Sequence, residues 1–375
     1  MVPESLNGEG VQVGYGVVDQ LAGFLDGPRR ERIFLVAQEP GFSLSGAKER
    51  LRSLLGTRTM RSFTEFAPNP QWEDAVRGAA ELRAFRADVL VAVGGGSVLD
   101  MAKLINALGG ADEPNPDLLR AATWDFGHRI PWVAVPTTSG TGAEATGFAV
   151  VYFEGSKFSL SHADLRPDLA LVDPTFTLSA PPALTSATGL DALCQGIESW
   201  WSVHATSESR RFARAATSWA WGALPAAVGS PDRESRLWMA RAAHVAGRAI
   251  HVSKTTAPHA LSYRISSKYG VPHGWAVALN LAPILAYNAA SPDTEVADTM
   301  RSIMGTLGFR DAKDAESGFI EFLVRLKAPH RLSLVGIHGE EALEDLIASV
   351  NAQRLANNPR PLEAPILRDL LRRVA

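Results

Sequence analysis

Three residues in the second half of the chain have side chains that could hold a divalent metal ion. Asp191 lies in the stretch GLDALCQGIESW, and Gln195 follows it one helical turn later. His259 lies in a stretch of helical character, and His273 follows it in a Pro-His-Gly turn. One carboxylate and two imidazoles suit such a metal. The alternative is the polar face of a helix with two ordinary histidines, because spacing alone does not bring these segments together.

Two loops rich in glycine and hydroxyl groups could bind phosphate. VAVGGGSVLDMAK (91–103) and PTTSGTGAEAT (136–146) each contain such a loop after an apolar run. Glycines let the backbone approach a pyrophosphate, and the start of the next helix offers free N–H groups. The predicted nucleotide-binding residues are Gly94, Gly95, Gly96, Ser97, Asp100, Thr137, Thr138 and Thr141. The alternatives are structural: Ser97 and Asp100 fit a capping box, and the second loop an ordinary turn.

A third candidate site precedes His259. The stretch SKTT (253–256) places Lys254 and three hydroxyl groups just before Pro258, a residue that suits the first turn of a helix. A helix N-terminus beside a lysine favours the binding of an anion. The sequence therefore predicts an anion site five residues from the candidate ligand His259. A solvated lysine beside a routine helix start is the alternative.

The first half of the chain has the pattern of a parallel sheet. Apolar runs at 32–38, 87–97, 130–142 and 168–173 alternate with amphipathic segments such as GAKERLRSLLG. Continuous apolar strands separated by helices are typical of a parallel sheet that is covered on both faces. Open sheets of this kind bind ligands at the carboxyl ends of their strands, where both candidate loops are expected.

Downstream of SAPPALT (179–185) the pattern changes to long helical periodicity without comparable strands. The two prolines of this stretch mark a boundary. We predict an α/β dinucleotide-binding domain with a parallel sheet over residues 1–180. An all-helical domain over 181–375 would carry the metal and substrate residues, with a ligand-binding cleft between the two domains.

Composition argues against several classes of protein. The chain has 375 residues, 46% of them hydrophobic, and a formal net charge of -3 from 37 basic and 40 acidic residues. That balance, without a long basic run, argues against nucleic acid as a partner. The single cysteine, Cys194, excludes an internal disulfide. We find neither a signal-peptide pattern nor an apolar run long enough to cross a membrane, and we expect a cytoplasmic protein.

Taken together, the motifs resemble those of the iron-containing (group III) alcohol dehydrogenases, relatives of glycerol dehydrogenase and dehydroquinate synthase. The resemblance covers nearly the whole chain. It rests on GGGSVLDMAK, PTTSGTGAEAT, DPTFTLSAPPALTSATGLDAL and a spacing of 14 residues from His259 to His273 that ends in PHG. It implies the fold of that family and a metal-dependent NAD(P)H oxidoreductase that reduces a small aldehyde to a primary alcohol.

The resemblance also implies site residues. It places the metal ligands at Asp191, Gln195, His259 and His273, and it favours Fe²⁺ over Zn²⁺. The family usually has histidine where this chain has Gln195. The amide oxygen could ligate the metal, it could bind a neighbouring water or substrate oxygen, or the site could be lost. Tyr263 also replaces a common histidine, and it either relays a proton or simply packs.

The implied cofactor is NADH or NADPH. Much of the family has an aspartate where this chain has Gln38, and an aspartate there would repel the 2′-phosphate of NADPH. Gln38 removes that repulsion without adding a positive charge, and we lean to NADH. Lys157 completes the candidate cofactor-binding set.

Within the family, three stretches look like the phosphonoacetaldehyde reductases: FTEFAPNPQWEDA, DALCQGIESWWSVHATSESR and SKTTAPHALSYRISSKYGVPHG. This implies reduction of phosphonoacetaldehyde to 2-hydroxyethylphosphonate in phosphonate natural-product biosynthesis. Lys254, Ser253 and Arg264 would hold the phosphonate, and Lys254 and Tyr263 are the catalytic candidates. Three alternatives stay open: a general dehydrogenase of neutral aldehydes, a cyclase like dehydroquinate synthase, and a non-catalytic nucleotide-binding protein. Family members often dimerise, so a homodimer is one expectation.

Overall fold

The computed structural model describes residues 6–8, 10–110, 114–120 and 129–375. Contacts between residues divide this part of the chain into two compact units. The α/β unit comprises the described residues up to 138 together with 142–180. The helical unit comprises 181–375 and also 139–141, a short piece of the second candidate loop that a single boundary near residue 180 does not include.

The α/β unit contains a parallel sheet. Its strands and those of a separate hairpin are β1 (Val11–Val13), β2 (Arg32–Ala37), β3 (Thr59–Phe63), β4 (Val89–Gly94), β5 (Trp132–Pro136), β6 (Phe148–Phe153), β7 (Ser156–Ser161) and β8 (Leu169–Val172). The sheet has the order β1-β8-β5-β4-β2-β3, and each neighbouring pair is parallel. The four apolar runs form β2, β4, β5 and β8, so the predicted parallel sheet is confirmed.

Helices cover both faces of this sheet. They are α1 (Gln20–Leu25), α2 (Gly41–Leu44), α3 (Ala47–Leu55), α4 (Trp72–Phe85) and α5 (Gly96–Leu108). Alternate residues of β2 enter different cores: Phe34 packs with α4 and α5, whereas Leu35 packs with α1 and α3. Burial on both faces is the reason that the central strands have continuous apolar sequences.

Two features of the α/β unit were not predicted. The edge strand β3 is mostly exposed and therefore has no apolar run. The antiparallel hairpin β6–β7 buries only some of its residues, so its apolar signal is diluted. Its turn is formed by Glu154 and Gly155, both with positive φ, as a tight hairpin turn requires.

The helical unit contains no strand among the residues that the structure describes. Its helices are α6 (Pro182–Trp201), α7 (Ser207–Gly229), α8 (Arg233–Ser253), α9 (Ala257–Tyr269), α10 (His273–Ala289), α11 (Thr294–Leu307), α12 (Ala312–Arg325), α13 (Gly339–Ala348), α14 (Ala352–Leu355) and α15 (Ala364–Arg372). The predicted combination of an α/β part and an all-helical part is thus confirmed. Over the described residues, no helix combines the length and the apolarity that a membrane span requires.

Candidate functional site

The helix α6 presents three polar side chains on one face. Asp191, Gln195 and Glu198 are four and then three residues apart, a spacing that places them one above another. All three are buried, with at most 4% of each residue exposed. Buried carboxylates persist only where hydrogen bonds or opposite charges compensate their lost hydration. The partners of these groups therefore define the site.

The two histidines come from the helices that face α6. His259 lies in the first turn of α9, where Pro258 occupies an early position as predicted. His273 is the first residue of α10. The following residue, Gly274, touches α6: a Cβ there would lie 1.9 Å from the carbonyl oxygen of Ala187. Only glycine allows this approach, which explains the Pro-His-Gly sequence and brings His273 to the polar face of α6.

Asp191, His259 and His273 converge. The Nε2 atom of His259 lies 3.2 Å from Oδ1 of Asp191, and that of His273 lies 3.9 Å from the same oxygen. One ligand atom from each of the three residues can be chosen so that all lie within 4.8 Å of one another. Asp191 and His259 are buried, whereas the His273 side chain is 39% exposed and gives the cluster an open side.

Further contacts orient both imidazoles. The Nδ1 atom of His259 bonds to the carboxylate of Glu198, which also accepts the N–H and the hydroxyl of Thr256 at 2.8 and 2.9 Å. The Ser262 hydroxyl donates to the His259 carbonyl, so its oxygen accepts from Nδ1 of His273 at 3.4 Å. Each Nδ1 is thus a donor, which directs Nε2 of both rings towards Asp191.

Electrostatics couple these groups. Burial alone raises the pKa of Asp191, but the hydrogen bond from His259 and the charges of both histidines hold it below its usual range. Burial alone lowers the pKa of His259, yet the carboxylates of Glu198 and Asp191 raise it to about 9. In the metal-free protein a proton therefore occupies the region where Asp191 and His259 meet. A divalent cation would take its place.

The hydrogen bonding of the Gln195 amide indicates whether the cluster suits a metal. Its amide hydrogen-bonds Asp191 and so helps to lower the pKa of that carboxyl. Its Oε1 atom is buried and has no hydrogen-bond partner within the described ranges. An ion or a ligand is one way to satisfy such a buried acceptor. One carboxylate, two imidazoles and one amide oxygen match a transition-metal site such as Fe²⁺ or Zn²⁺.

The sequence motifs did not single out Glu198, although a signal was present. It follows Gln195 by three residues on the helical face that begins at Asp191. Its carboxylate also occupies the N-terminus of α9, where an anion site was predicted. At this helix start the bound anion is a side chain of the protein, and the predicted site for a substrate anion stays a prediction.

The glycine loop joins β4 to α5 as predicted. Gly94 ends β4, Gly95 caps α5, and the N–H of Thr137 donates to the Gly94 carbonyl at 3.0 Å. A Cβ on Gly95 would lie 3.3 Å from the hydroxyl of Thr138. These candidate nucleotide-binding residues thus meet at the carboxyl ends of two neighbouring strands. Gly96 begins α5, while Thr141 belongs by its contacts to the helical unit.

The alternative that Ser97 and Asp100 form a capping box is wrong. The helix α5 begins at Gly96, and no side chain of the described residues caps its N-terminus. Ser97 accepts the N–H of Asn69 at 3.4 Å. Asp100 instead accepts the N–H of Val150 at 3.0 Å, which ties α5 to the hairpin. Asp100 therefore has a structural role, and its predicted role in cofactor binding stays a prediction.

Two other cofactor candidates lie near the same sheet. Gln38 directly follows β2, and its amide donates to the Phe66 carbonyl at 2.6 Å. Lys157 lies in β7 of the hairpin, where its charge acts on Asp100. Lys157 is thus a neighbour of the structural carboxylate.

The three residues predicted to hold the substrate anion differ in their surroundings. Ser253 is fully buried and bonds to Ser199 and to the Ala249 carbonyl, so it has no surface to offer a substrate. Arg264 donates two hydrogen bonds to Asp345, at 2.9 and 2.7 Å. Lys254 is exposed at the junction of α8 and α9. Ser253 and Arg264 are thus held by partners within the protein, and the substrate-binding roles of all three residues stay predictions.

Tyr263 stacks on the cluster. Its ring lies parallel to that of His273, with an interplanar angle of 3° and a centroid distance of 6.2 Å. Burial is the main cause that raises the pKa of its hydroxyl, which therefore stays protonated at neutral pH. Tyr263 can thus donate a proton or a hydrogen bond beside His273, but it is no base.

Comparison with known proteins agrees with this geometry. The model of the iron-containing alcohol dehydrogenase family matches residues 9–174, and that of the C-terminal domain of Fe-containing alcohol dehydrogenases matches 185–375. The phosphonoacetaldehyde reductase of Streptomyces viridochromogenes is 35% identical, over 96% of this chain and 94% of the relative. Long-chain-alcohol dehydrogenase 1 of Geobacillus thermodenitrificans is 33% identical, over 93% and 91%.

Among solved structures, the sulfoacetaldehyde reductase of Bifidobacterium kashiwanohense in complex with NAD⁺ superimposes with a TM-score of 0.89 and 28% identity. It covers all of this chain, and 99% of its own length is matched. The chain therefore belongs to the iron-containing alcohol dehydrogenase family and is an NAD(P)-dependent oxidoreductase of the alcohol dehydrogenase and aldehyde reductase type.

Proposed function

We propose that the protein reduces a small aldehyde that carries an acid group, and specifically phosphonoacetaldehyde to 2-hydroxyethylphosphonate. The main observation in favour of an anionic substrate is Lys254, a cation that lies just before α9, the helix that contributes His259. Two relatives support the proposal, because the names of both describe an acetaldehyde that bears a phosphonate or a sulfonate. A biosynthetic role in phosphonate metabolism would follow from that substrate.

In this proposal Asp191, His259 and His273 hold the metal, and Oε1 of Gln195 completes the set. Fe²⁺ is preferred over Zn²⁺ on the family's name alone. When bound, the metal supplies a Lewis acid for the carbonyl oxygen and the nicotinamide supplies a hydride. Glu198 keeps the His259 ring in one orientation, and the exposed edge of His273 leaves room for a substrate.

Tyr263 is the proposed proton donor for the developing alkoxide. Its hydroxyl is protonated at neutral pH, and its ring stacks on His273. Donation requires only that the hydroxyl lie within hydrogen-bond reach of the substrate oxygen, directly or through one water. A water molecule is the competing donor, and a Tyr263→Phe variant with unchanged turnover would favour it.

The dinucleotide is proposed to be NADH, bound at the glycine loop and at Thr137 and Thr138. Gln38 lies beyond the end of β2 and carries no charge that could attract the 2′-phosphate of NADPH. An NADPH preference would require a cation there. A lower KM for NADH than for NADPH is the expected result.

The deciding experiment compares phosphonoacetaldehyde with propanal as substrates of the Fe²⁺-loaded protein, with NADH or NADPH consumption as the readout. A higher kcat/KM for phosphonoacetaldehyde supports the proposal. Equal or better turnover of propanal would instead favour a dehydrogenase of neutral alcohols, a function consistent with the resemblance to the long-chain-alcohol dehydrogenase. Binding of metal and cofactor without turnover of either aldehyde would favour a cyclase or a non-catalytic protein.

A further inference from the structure

The short helix α14 lies against the junction that contains Lys254. The guanidinium of Arg354 donates to the hydroxyl of Thr255 at 3.3 Å, and the amide of Asn357 donates to the Thr255 carbonyl at 2.9 Å. Thr255 is buried and follows Lys254 directly. Two contacts from separate side chains thus hold Arg354 in place beside the start of α9.

Arg354 also lies close to the metal cluster. Its Cζ atom is 5.3 Å from the centroid of the Tyr263 ring, a distance typical of a cation–π contact. The same ring stacks on His273. The Tyr263 ring thus contacts both the guanidinium and an imidazole of the candidate metal centre.

Arg354 and the nearby Arg264 differ in how their charges are paired. Across the ranges that the structure describes, the half-buried guanidinium of Arg354 forms no ion pair. By contrast, the charge of Arg264 on the neighbouring α9 is paired, because its guanidinium donates two hydrogen bonds to the carboxylate of Asp345. A guanidinium offers a planar fork that matches the oxygens of a phosphonate, sulfonate or carboxylate.

Lys254 adds a second positive charge at the same place. Loss of hydration, and next the charge of Arg354, lower the pKa of its amine. Its backbone has φ 62° and ψ 175°, a region that residues other than glycine rarely adopt. A strained lysine beside a like charge is unfavourable for the empty protein. The repulsion between the two charges is offset when an anion binds to both side chains.

We propose that Lys254 and Arg354 together bind the acid group of the substrate, which makes Arg354 a specificity-determining residue of the aldehyde reduction. This inference rests on the proposed function and adds the residue that selects the substrate class. The class is small aldehydes that carry their acid group close to the carbonyl, because Arg354 contacts the same Tyr263 ring that stacks on His273. Neutral aldehydes gain nothing from this pair.

The test compares wild type with Arg354→Met and Arg354→Lys, using phosphonoacetaldehyde and propanal as substrates. Loss of one charge-assisted bidentate contact should lower kcat/KM for phosphonoacetaldehyde roughly 10- to 100-fold, mainly through KM. Propanal turnover should change less than about twofold. Arg354→Lys should recover part of the loss, since it keeps the charge but not the fork. Arg301→Met removes an exposed arginine of α11 and serves as the matched control.

A second readout does not depend on turnover. Methylphosphonate, which cannot be reduced, should inhibit the wild-type enzyme competitively and bind in calorimetry, and Arg354→Met should weaken both effects by a similar factor. Circular dichroism and the Tm report whether the variant is folded. Wild type that does not prefer phosphonoacetaldehyde over propanal would defeat the proposed function itself. A preference that survives in folded Arg354→Met, or equal loss on both aldehydes, would overturn the role of Arg354.

Discussion

Both units bury a cluster of ionisable side chains, around Lys103 and around Asp191, and the two clusters differ in how well their polar atoms are satisfied. In the α/β unit, the amine of Lys103 donates to the Thr146 hydroxyl at 2.8 Å and to the Phe148 carbonyl at 2.7 Å. In the helical unit, Asp191 and His259 meet beside Oε1 of Gln195, which has no partner among the described residues.

This difference separates a structural cluster from a binding cluster. The Lys103 network uses its charge to attach α5 to the hairpin, and the hydrogen bonds close within the protein. The Asp191 network directs several lone pairs to one point. Within it, Oε1 of Gln195 accepts no hydrogen bond from the described residues. Fully satisfied buried networks rigidify a core, whereas an incomplete one needs an ion or a ligand. Five predictions test this distinction.

The largest effect is expected for Asp191→Ala, which removes the carboxylate shared by both histidines. Loss of an outer-shell partner typically lowers metal affinity 10- to 100-fold, so loss of a direct ligand should exceed roughly 100-fold. Metal titration of the apoprotein and aldehyde turnover measure the effect. Lys103→Met, in the other cluster, should keep stoichiometric metal binding. Retention of that binding in Asp191→Ala would place the metal elsewhere.

The pH dependence of stability should distinguish the clusters. Burial lowers the pKa of Lys103 from 10.5 to about 8, so the unfolded chain binds more protons between these values. The free energy of unfolding should therefore rise as the pH increases from 8 to 10.5, by up to about 3 kcal/mol. Denaturant unfolding gives the free energy of unfolding of the wild type and of Lys103→Met at each pH. The difference between the two values isolates this contribution. A difference that does not change with pH would contradict it.

The metal-free helical unit should behave in the opposite way. The pKa of His259 is raised from 6.5 to about 9, so the folded state binds more protons in this range. The stabilisation is complete below pH 6.5 and is lost as the pH rises through 9, to an extent of about 3 kcal/mol. Bound metal would displace the proton and remove this dependence. Identical pH profiles with and without metal would show that His259 is no ligand.

Glu198→Gln should weaken the metal site without destroying it. The amide can still contact Nδ1 of His259 but no longer fixes that ring by charge. Metal affinity should fall roughly 10- to 100-fold. Asp100→Asn makes the equivalent change in the Lys103 cluster and should leave metal affinity unaltered. Equal effects of the two variants would indicate a general loss of stability, which thermal unfolding would reveal.

The smallest effect concerns the strained backbone at Lys254. Lys254→Gly should be about 1 kcal/mol more stable than Lys254→Ala, because glycine adopts φ 62° and ψ 175° without a Cβ clash. Denaturant unfolding of the two variants measures the difference. Neither has an amine at this position, so both should lose preference for an anionic aldehyde. If alanine proves as stable as glycine, the backbone is not strained.

The parts of the fold that depend on local patterns were predictable. Strands β2, β4, β5 and β8 are buried on both faces and therefore have continuous apolar sequences. The hairpin β6–β7 and the edge strand β3 are partly exposed, and they leave no such pattern. The capping box failed because Asp100 bonds to Val150, a residue 50 positions away that no local rule can identify.

The site was predictable in part for the same reason. Asp191, His259 and His273 are distinctive in type and spacing, whereas Glu198 resembled any polar residue of a helix. Ser253 and Arg264 looked suited to an anion, but their burial and the ion pair with Asp345 lie beyond what a sequence reveals.

By itself the sequence determined the alternation of strands and helices, the glycine loop after β4, and the residue types of the metal cluster, because these depend on neighbours within one or two turns. Only the tertiary structure decided which polar groups are satisfied. It turned Glu198 to His259, gave Oε1 of Gln195 no donor among the described residues, and placed Arg354 beside Thr255 from 99 residues away. The physical reason is that burial and hydrogen bonding join groups that are close in space and distant along the chain.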